Sequence, residues 1–349
     1  MSAHGWLRSI GVLLIVIIIV AGIKGIDLYR KAFAPNVFIK GKENHAFLYI
    51  PTGSDIVQAM EAINKSVIIR NEKSLEWTVG KKNYKAHVYP GRYRIKNRMS
   101  NNELINLLRS GKQEPMDVTF NDLRSLEQLA TVISKQLEFK PSELLNLLRS
   151  DSIHEIYGFN RNTISCMFIP NTYEFYWNTT AGEFIDRMYK EYEKFWNTRR
   201  QHKAETMKLS RMEVITLASI VNEETHKDDE KARIAGLYVN RLNKGFRLQA
   251  DPTVKYAIGD FNIKRVLKKH YQTESPYNTY RIDGLPPGPI CLPSIKSIDA
   301  VLNYEVHNYM YMCAKADFSG YHVFAKTLSE HNRNAELYRR QLNLLRIYR

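Results

Sequence analysis

An uncharged apolar run close to the N-terminus limits what the first part of this chain can become. Ser9 to Ile23 reads "SIGVLLIVIIIVAGI", with no charge until Lys24. The run is short for a membrane-crossing helix, which takes roughly 17 to 25 apolar residues. Trp6 and Leu7 lengthen it, and Arg8 and Lys24 have side chains long enough to carry their charges back to the headgroups. A secretory signal peptide follows a similar pattern, but no A-x-A-like cleavage site stands out. An uncleaved anchor over residues 1–26 is therefore the preferred reading. A buried core helix fits poorly with so terminal a position. Arg30 and Lys31 follow closely on the other side, so charge does not settle the orientation.

The remaining chain has the composition of a folded protein, and 349 residues suit one large domain or two ordinary ones. A formal net charge of +15 favours an anionic partner. The excess lies in short clusters such as Lys81-Lys82, Arg199-Arg200 and Lys268-Lys269, without zinc-finger spacing, an RNA-binding aromatic signature or a basic heptad region. Nucleic-acid binding is accordingly set aside. Cys166, Cys291 and Cys313 have no metal-ligand spacing and read as small buried hydrophobes. The ten histidines contain no H-E-x-x-H, so neither a metal nor another cofactor is expected.

The pattern along the chain is that of an α+β protein. Lys24 to Asn44 is polar and basic with little periodicity, which reads as a membrane-proximal linker, assigned to 27–45. A small α+β unit follows over 46–121: a strand at "AFLYIP", then a helix capped by Ser54 with Ile56, Met60 and Ile63 on one face. Strand material broken at Pro90-Gly91 comes next. A helix capped by Ser100 then buries Leu104, Leu107 and Leu108 and ends at Gly111, before a strand at "MDVTF". From 122 to 349 a larger mixed α+β domain is expected. It opens with helices around Leu126–Leu137 and Pro141–Leu148, an aromatic-rich turn at "MFIPNTYEFYWNTT" and the helix "AGEFIDRMYKEYEKFW". It closes with a hairpin of "YMYMCAK" and "YHVFAKT" around "DFSG" and a helix from Glu330 to Leu345.

The stretch that carries chemistry is "LASIVNEETHKDDEKARIAGLYVNRL", Leu217 to Leu242. Ser210 and Glu213 have capping-box spacing, so a helix begins at Arg211 with Val214, Leu217, Ala218 and Val221 on its buried face. Glu224 falls at the edge of that face and Glu223 on the far side, where it is expected to be solvated. Desolvation beside the negative helix end favours the protonated carboxyl, so the Glu224 pKa should rise. An acid that keeps its proton near neutrality suits general acid catalysis. A second helix, with Ala235, Tyr238, Val239 and Leu242 inward, stops at Gly245. Asp251 then reads as an N-cap with Pro252 at the first helical position. The loop "ESPYNTYRIDGLPPGPI" has the Pro, Gly, Tyr and Asn content of a rigid binding wall.

The segments "LASIVNEET", "VNRL", "LQADPTVKYAIG", "SPYNTYRIDGLPPGPI" and "HVFAKTLSEHN" stand in the order found in the endolytic murein transglycosylases of the YceG-like family, which this chain resembles. "PGRYRI…NELINLLRSGKQ…VTF" and "FIPNTYEFYWNT" are similar to that family's upstream segments. The resemblance covers most of the chain beyond residue 45. It implies an inner-membrane anchor, a LysM-like unit and an extracytoplasmic catalytic domain with its catalytic glutamate at Glu224. The chain departs from the family at Asn222, where another acid is common.

The reaction so implied cleaves the bond between N-acetylmuramic acid and N-acetylglucosamine in nascent glycan strands and leaves 1,6-anhydro ends. Glu224 would protonate the leaving oxygen and then accept the proton of the attacking C6 hydroxyl. Asn240, Gln249, Asp251, Tyr277 and Asn278 are the candidate substrate contacts, with Arg241 for substrate carboxylates. Leu285, Pro286 and Pro287 shape the loop, and His322 and His331 read as groups that help position it. The family also implies partners among the cell-wall synthases. Two alternatives stay open: a hydrolytic muramidase using Asp251 or Asp283 as a second carboxylate, and a non-enzymatic wall-binding scaffold.

Overall fold

The computed structural model describes residues 3–263 and 266–344. The end of the last helix expected at Leu345 lies outside them, as does the side chain of Arg8. The chain divides into two compact units, one comprising the residues up to Asp117 with Glu174–Thr179, the other Val118–Tyr173 and the residues from Thr180 onward.

The first unit begins with α1 (Ala3–Phe33), whose 24-residue span Ile10–Phe33 is long and apolar enough to cross a membrane. The large side chains from Val12 to Val20 stand exposed. Where the sequence pattern suggested a linker, α1 runs on to Phe33 and β1 (Pro35–Phe38) follows, with Val37 fully enclosed. A polar cluster explains this order. The Asn36 side chain donates to Asn101 Oδ1 at 2.7 Å and to Asn71 O at 3.0 Å, and accepts from Asn71 N at 2.7 Å. Asn101 Nδ2 in turn donates to Lys31 O at 2.8 Å, tying the end of α1 down. Such short-range polar logic carries no hydrophobic period to read.

The unit continues with β2 (His45–Ile50), α2 (Ile56–Ser66), β3 (Ile68–Ile69), α3 (Glu72–Lys81), β4 (Gly91–Lys96), β5 (Met99–Ser100) and α4 (Asn101–Arg109). Strands β2 and β4 pair antiparallel from His45–Lys96 to Ile50–Gly91, and β1 lies between β3 and β5. Period-2 alternation puts Leu48, Ile50, Tyr93 and Ile95 into one core with Ile63, Leu75, Leu104 and Leu108. The α2 cap is Asp55 rather than Ser54, because Asp55 and Gln58 satisfy each other's backbone N–H. Ser100 caps α4 as expected, with Glu103 completing a capping box, while Ile105 is buried and Leu107 only partly so.

The second unit holds the part of β6 (Met116–Phe120) from Val118 on, α5 (Leu126–Ser134), α6 (Pro141–Leu148), α7 (Asp151–Tyr157), the part of β7 (Asn171–Phe175) up to Tyr173, α8 (Ala181–Phe195), α9 (Thr198–Thr206), α10 (Arg211–Glu224), α11 (Asp228–Asn243), α12 (Asp251–Ile258), α13 (Ile295–Leu302), β8 (Tyr311–Ala314), β9 (His322–Ala325) and α14 (Leu328–Leu344). The aromatic-rich "turn" contains β7, which pairs with β6. Strands β8 and β9 form the expected hairpin, in register from Tyr311–Ala325 to Ala314–His322. At the centre is α10, packed by α9, α11, α12 and α13. Every residue from Val214 to Val221 is buried, Thr216 and Ser219 included, so the helix is enclosed on all sides rather than along the one stripe the periodicity indicated. The Ser219 hydroxyl makes this tolerable: it donates to Thr216 O at 2.7 Å and accepts from Ile290 N at 3.0 Å.

Helix α11 comes unusually close to the segment before the hairpin. Glu305 N donates to Ala232 O, and a Cβ on Gly236 would lie 2.2 Å from Glu305 O. A Gly236→Ala substitution is expected to destabilise the protein by about 1–3 kcal/mol through this overlap. At Gly182 in α8 a Cβ meets nothing within 4 Å, so Gly182→Ala should be neutral or stabilising by up to about 1 kcal/mol. Thermal denaturation of the two variants beside wild type checks the contrast.

Candidate active site

Helix α10 ends at Glu224, and its next residue, Thr225, turns extended and is buried. The Glu224 side chain lines a cavity of about 350 Å³ within the second unit. Helix α11 contributes Tyr238 and Arg241 to the walls, and the approach to α12 contributes Gln249 and Asp251. Tyr271 and Tyr280 come from the long loop, and Met312, Cys313 and His322 from the hairpin. Part of the Glu224 residue opens onto this space, but its carboxyl is enclosed and accepts a 2.5 Å hydrogen bond from Tyr238 Oη. Burial pushes the Glu224 pKa up to about 7 and the Asp251 charge adds to the rise, against the Tyr238 hydrogen bond, His322 and Arg241. Burial and the adjoining Glu224 hold the Tyr238 hydroxyl well above the usual phenol range, so it remains a donor.

Glu223 is not solvated as expected. It receives Arg124 Nη2 at 3.0 Å, and its side chain is only 17% exposed, because residues beyond α10 fold over the far side of the helix. Asn222 accepts from Ser297 Oγ at 2.8 Å and Ser294 N at 3.3 Å, holding the start of α13.

Asp251 is also not the helix cap. Ala250 occupies that position and Asp251 is the first helical residue, one step ahead of Pro252. Its carboxylate accepts from Tyr280 Oη at 2.7 Å and Tyr271 Oη at 3.3 Å, so it is committed to the loop rather than to the helix N-terminus. Gln249, beside it, holds a left-handed backbone with φ 49°. Its N–H donates to Thr279 O, and its Oε1 accepts from Arg241 Nη1 at 3.4 Å.

Of the sequence-predicted contacts, Glu224, Arg241, Gln249 and Asp251 meet at one cavity, and Asn240, Tyr277 and Asn278 do not line it. Arg241 is buried and donates to Met310 O and Leu248 O, both at 2.7 Å, which makes it a strut between α11, the 248 segment and the hairpin. Asn240 donates to His307 O and Tyr309 O. Asn278 is fully enclosed, donating to Tyr271 O and Thr273 O and accepting from Tyr280 N. Tyr277 lines a separate cavity of about 280 Å³ with Tyr256, Arg124, Arg149 and Arg161. Asp283 is an exposed loop acid paired with Arg247, and His331 stacks on Tyr311. Sequence reasoning missed Tyr238 as the Glu224 partner, since an inward helical tyrosine reads as core. It also missed the Tyr271–Tyr280 clamp on Asp251 and the buried Glu230.

The order of segments that builds this cavity is matched by the model of the YceG-like family over residues 48–337. The chain belongs to the YceG-like family. It is 29% identical over 335 residues to the endolytic murein transglycosylase of Bacillus subtilis, covering 90% of this chain and 91% of that protein. It is 26% identical over 321 residues to the endolytic murein transglycosylase of Streptococcus pneumoniae, covering 82% of this chain and 57% of that longer protein. Among solved structures, the crystal structure of a YceG-like protein from Listeria monocytogenes aligns with TM-score 0.56 and 26% identity, covering 84% of this chain and 99% of that one.

In this YceG-like chain the Glu224 carboxyl titrates at about 7 in the fold, against an ordinary 4.5. Between these values the folded protein keeps a proton that the unfolded chain has lost. Its contribution to stability is therefore complete below pH 4.5 and is lost as pH rises through 7, about 3 kcal/mol in all. Glu224→Gln should lack that slope. Denaturant unfolding at pH 4.5 and near pH 7.5 is expected to show the variant gaining on wild type by about this amount, whereas parallel pH dependence of the two proteins would contradict the buried-acid assignment.

Proposed function

We propose that this chain is a membrane-anchored endolytic lytic transglycosylase that cleaves peptidoglycan between N-acetylmuramic acid and N-acetylglucosamine in nascent strands. The observation that carries the reading is the enclosed Glu224 carboxyl, its pKa raised to about 7, facing the cavity at the end of α10. The names of the bacillar and streptococcal relatives support the reaction class. Glu224 gives its proton to the glycosidic oxygen as the C1–O bond breaks, and positive charge develops at C1. The muramic C6 hydroxyl closes onto C1, its proton passing to the Glu224 carboxylate, and the glutamic acid is restored. Acid and base are needed in succession, so one carboxyl serves both. Tyr238 holds the carboxyl in one orientation and donates to it when it is charged.

Helix α1 is the proposed anchor, which would keep the second unit near newly made glycan at the extracytoplasmic face. The first unit is read as LysM-like and glycan-binding, a reading supported by α2 and α3, with the short β3 between them, lying in sequence between the paired strands β2 and β4. Cell-wall synthases are the partners proposed with it. One observation favours a second reading: Asp251 shares the cavity with Glu224, so a hydrolytic muramidase with Asp251 as its second carboxylate is the rival.

Mass spectrometry of products from uncrosslinked glycan strands separates the two. Wild type and Glu223→Gln are expected to leave anhydromuramyl ends, and a folded Glu224→Gln to lose about 10²–10⁴-fold in kcat. Reducing muramyl ends would favour hydrolysis, and activity surviving in Glu224→Gln would displace it as the acid. The wild-type rate should also fall as pH rises through about 7, where Glu224 loses its proton.

A further inference from the structure

Glu230 is a carboxylate that the mechanism above does not use, and it is only 3% exposed. It lies in the first turn of α11, where the helix N-terminus favours negative charge. Both of its oxygens are engaged by one residue of β9. His322 N donates to Oε1 at 2.7 Å, and the His322 ring Nδ1 lies 2.8 Å from Oε2. A carboxylate can only accept, so the ring carries its proton on Nδ1. Oxygen, ring and backbone are thus mutually fixed, and the imidazole has one free end. That end belongs to a ring lining the same cavity as Glu224, where its Nε2 has no hydrogen-bond partner among the described residues and is not among the buried polar atoms left unsatisfied. The charged ring, the form that lowers the Glu224 pKa, carries a proton there as well, and the neutral ring protonated at Nδ1 presents a lone pair.

We infer that His322, oriented by Glu230, is a further substrate-contacting residue of the Glu224 cavity and in its neutral form accepts a hydrogen bond from a sugar hydroxyl through Nε2. Glu230 is then a positioning residue, acting through the tautomer and aim of the ring. The inference rests on the glycan-cleaving reading of the cavity.

Glu230→Gln tests it without emptying the site. The backbone N–H of His322 can only donate, so it holds the amide oxygen and turns the amide NH₂ toward Nδ1. The ring must then accept at Nδ1 and carry its proton on Nε2, where it can no longer take a hydroxyl proton. Histidine-selective ¹⁵N NMR of the full chain, with His322 identified through His322→Gln, should show Nδ1–H in wild type and the inverted tautomer in Glu230→Gln. Addition of a GlcNAc–MurNAc oligosaccharide to the full-length Glu224→Gln protein should move the Nε2 resonance. On glycan strands, kcat/KM of Glu230→Gln should fall about ten- to a hundredfold, with folding retained.

An Nε2 signal unmoved at saturating oligosaccharide, no oligosaccharide binding at all, or an inverted tautomer with unchanged kcat/KM each overturns the inference. If wild type cleaves nothing while the oligosaccharide still moves Nε2, the cleavage reading falls and the contact stands.

Discussion

A carboxyl group closed into protein at the end of a helix is costly to ionise, and the second unit is arranged around that cost. Glu224 ends α10, which is packed by four other helices and buried from Val214 to Val221. The carboxyl is therefore held where water cannot fully solvate it, and Tyr238 supplies it with a strong donor. A lone surface glutamate would titrate near its ordinary value and be spent as an acid at neutral pH. Here burial keeps the proton in reach of the cavity.

The other charges around the cavity, buried or half-buried, follow one rule, which is that each is met by groups of fixed geometry. Arg241 rests on backbone carbonyls, Asp251 on two tyrosine hydroxyls, and Glu230 on a backbone N–H and an imidazole. These contacts also assemble the walls. Arg241 joins α11 to the segment before α12 and to the hairpin, and Glu230 fastens β9 to α11. Breaking one of them would move a wall of the cavity as well as leave a charge unpaired.

Much of the helical framework was legible in the sequence because its signals are local. Ser100, and Ser210 with Glu213, cap their helices as the spacing indicates, and the hairpin at "DFSG" forms where alternation and turn chemistry place it. Asp55 displaced Ser54 because it and Gln58 satisfy each other's backbone N–H, and Asp251 is no cap because its carboxylate is held by Tyr271 and Tyr280. The stretch from residue 27 to 45 looked like a linker because Asn36 and Asn101 order it through polar contacts that carry no period.

By itself the sequence determined that Glu224 sits at the boundary of an apolar helical face near a helix end, since that needs only the helical repeat and a capping box. It also determined that "LASIVNEET", "VNRL" and "LQADPTVKYAIG" lie in family order. Only the tertiary structure decided what surrounds the carboxyl. Tyr238, Asp251 and His322 reach one cavity from segments up to the hairpin at β9, and their meeting depends on how separate helices pack. The same packing commits the amides of Asn240 and Asn278 to backbone and encloses Glu223 against Arg124. A helical repeat says which way a side chain leaves its own helix; what it meets there is set by chain that folds in from elsewhere.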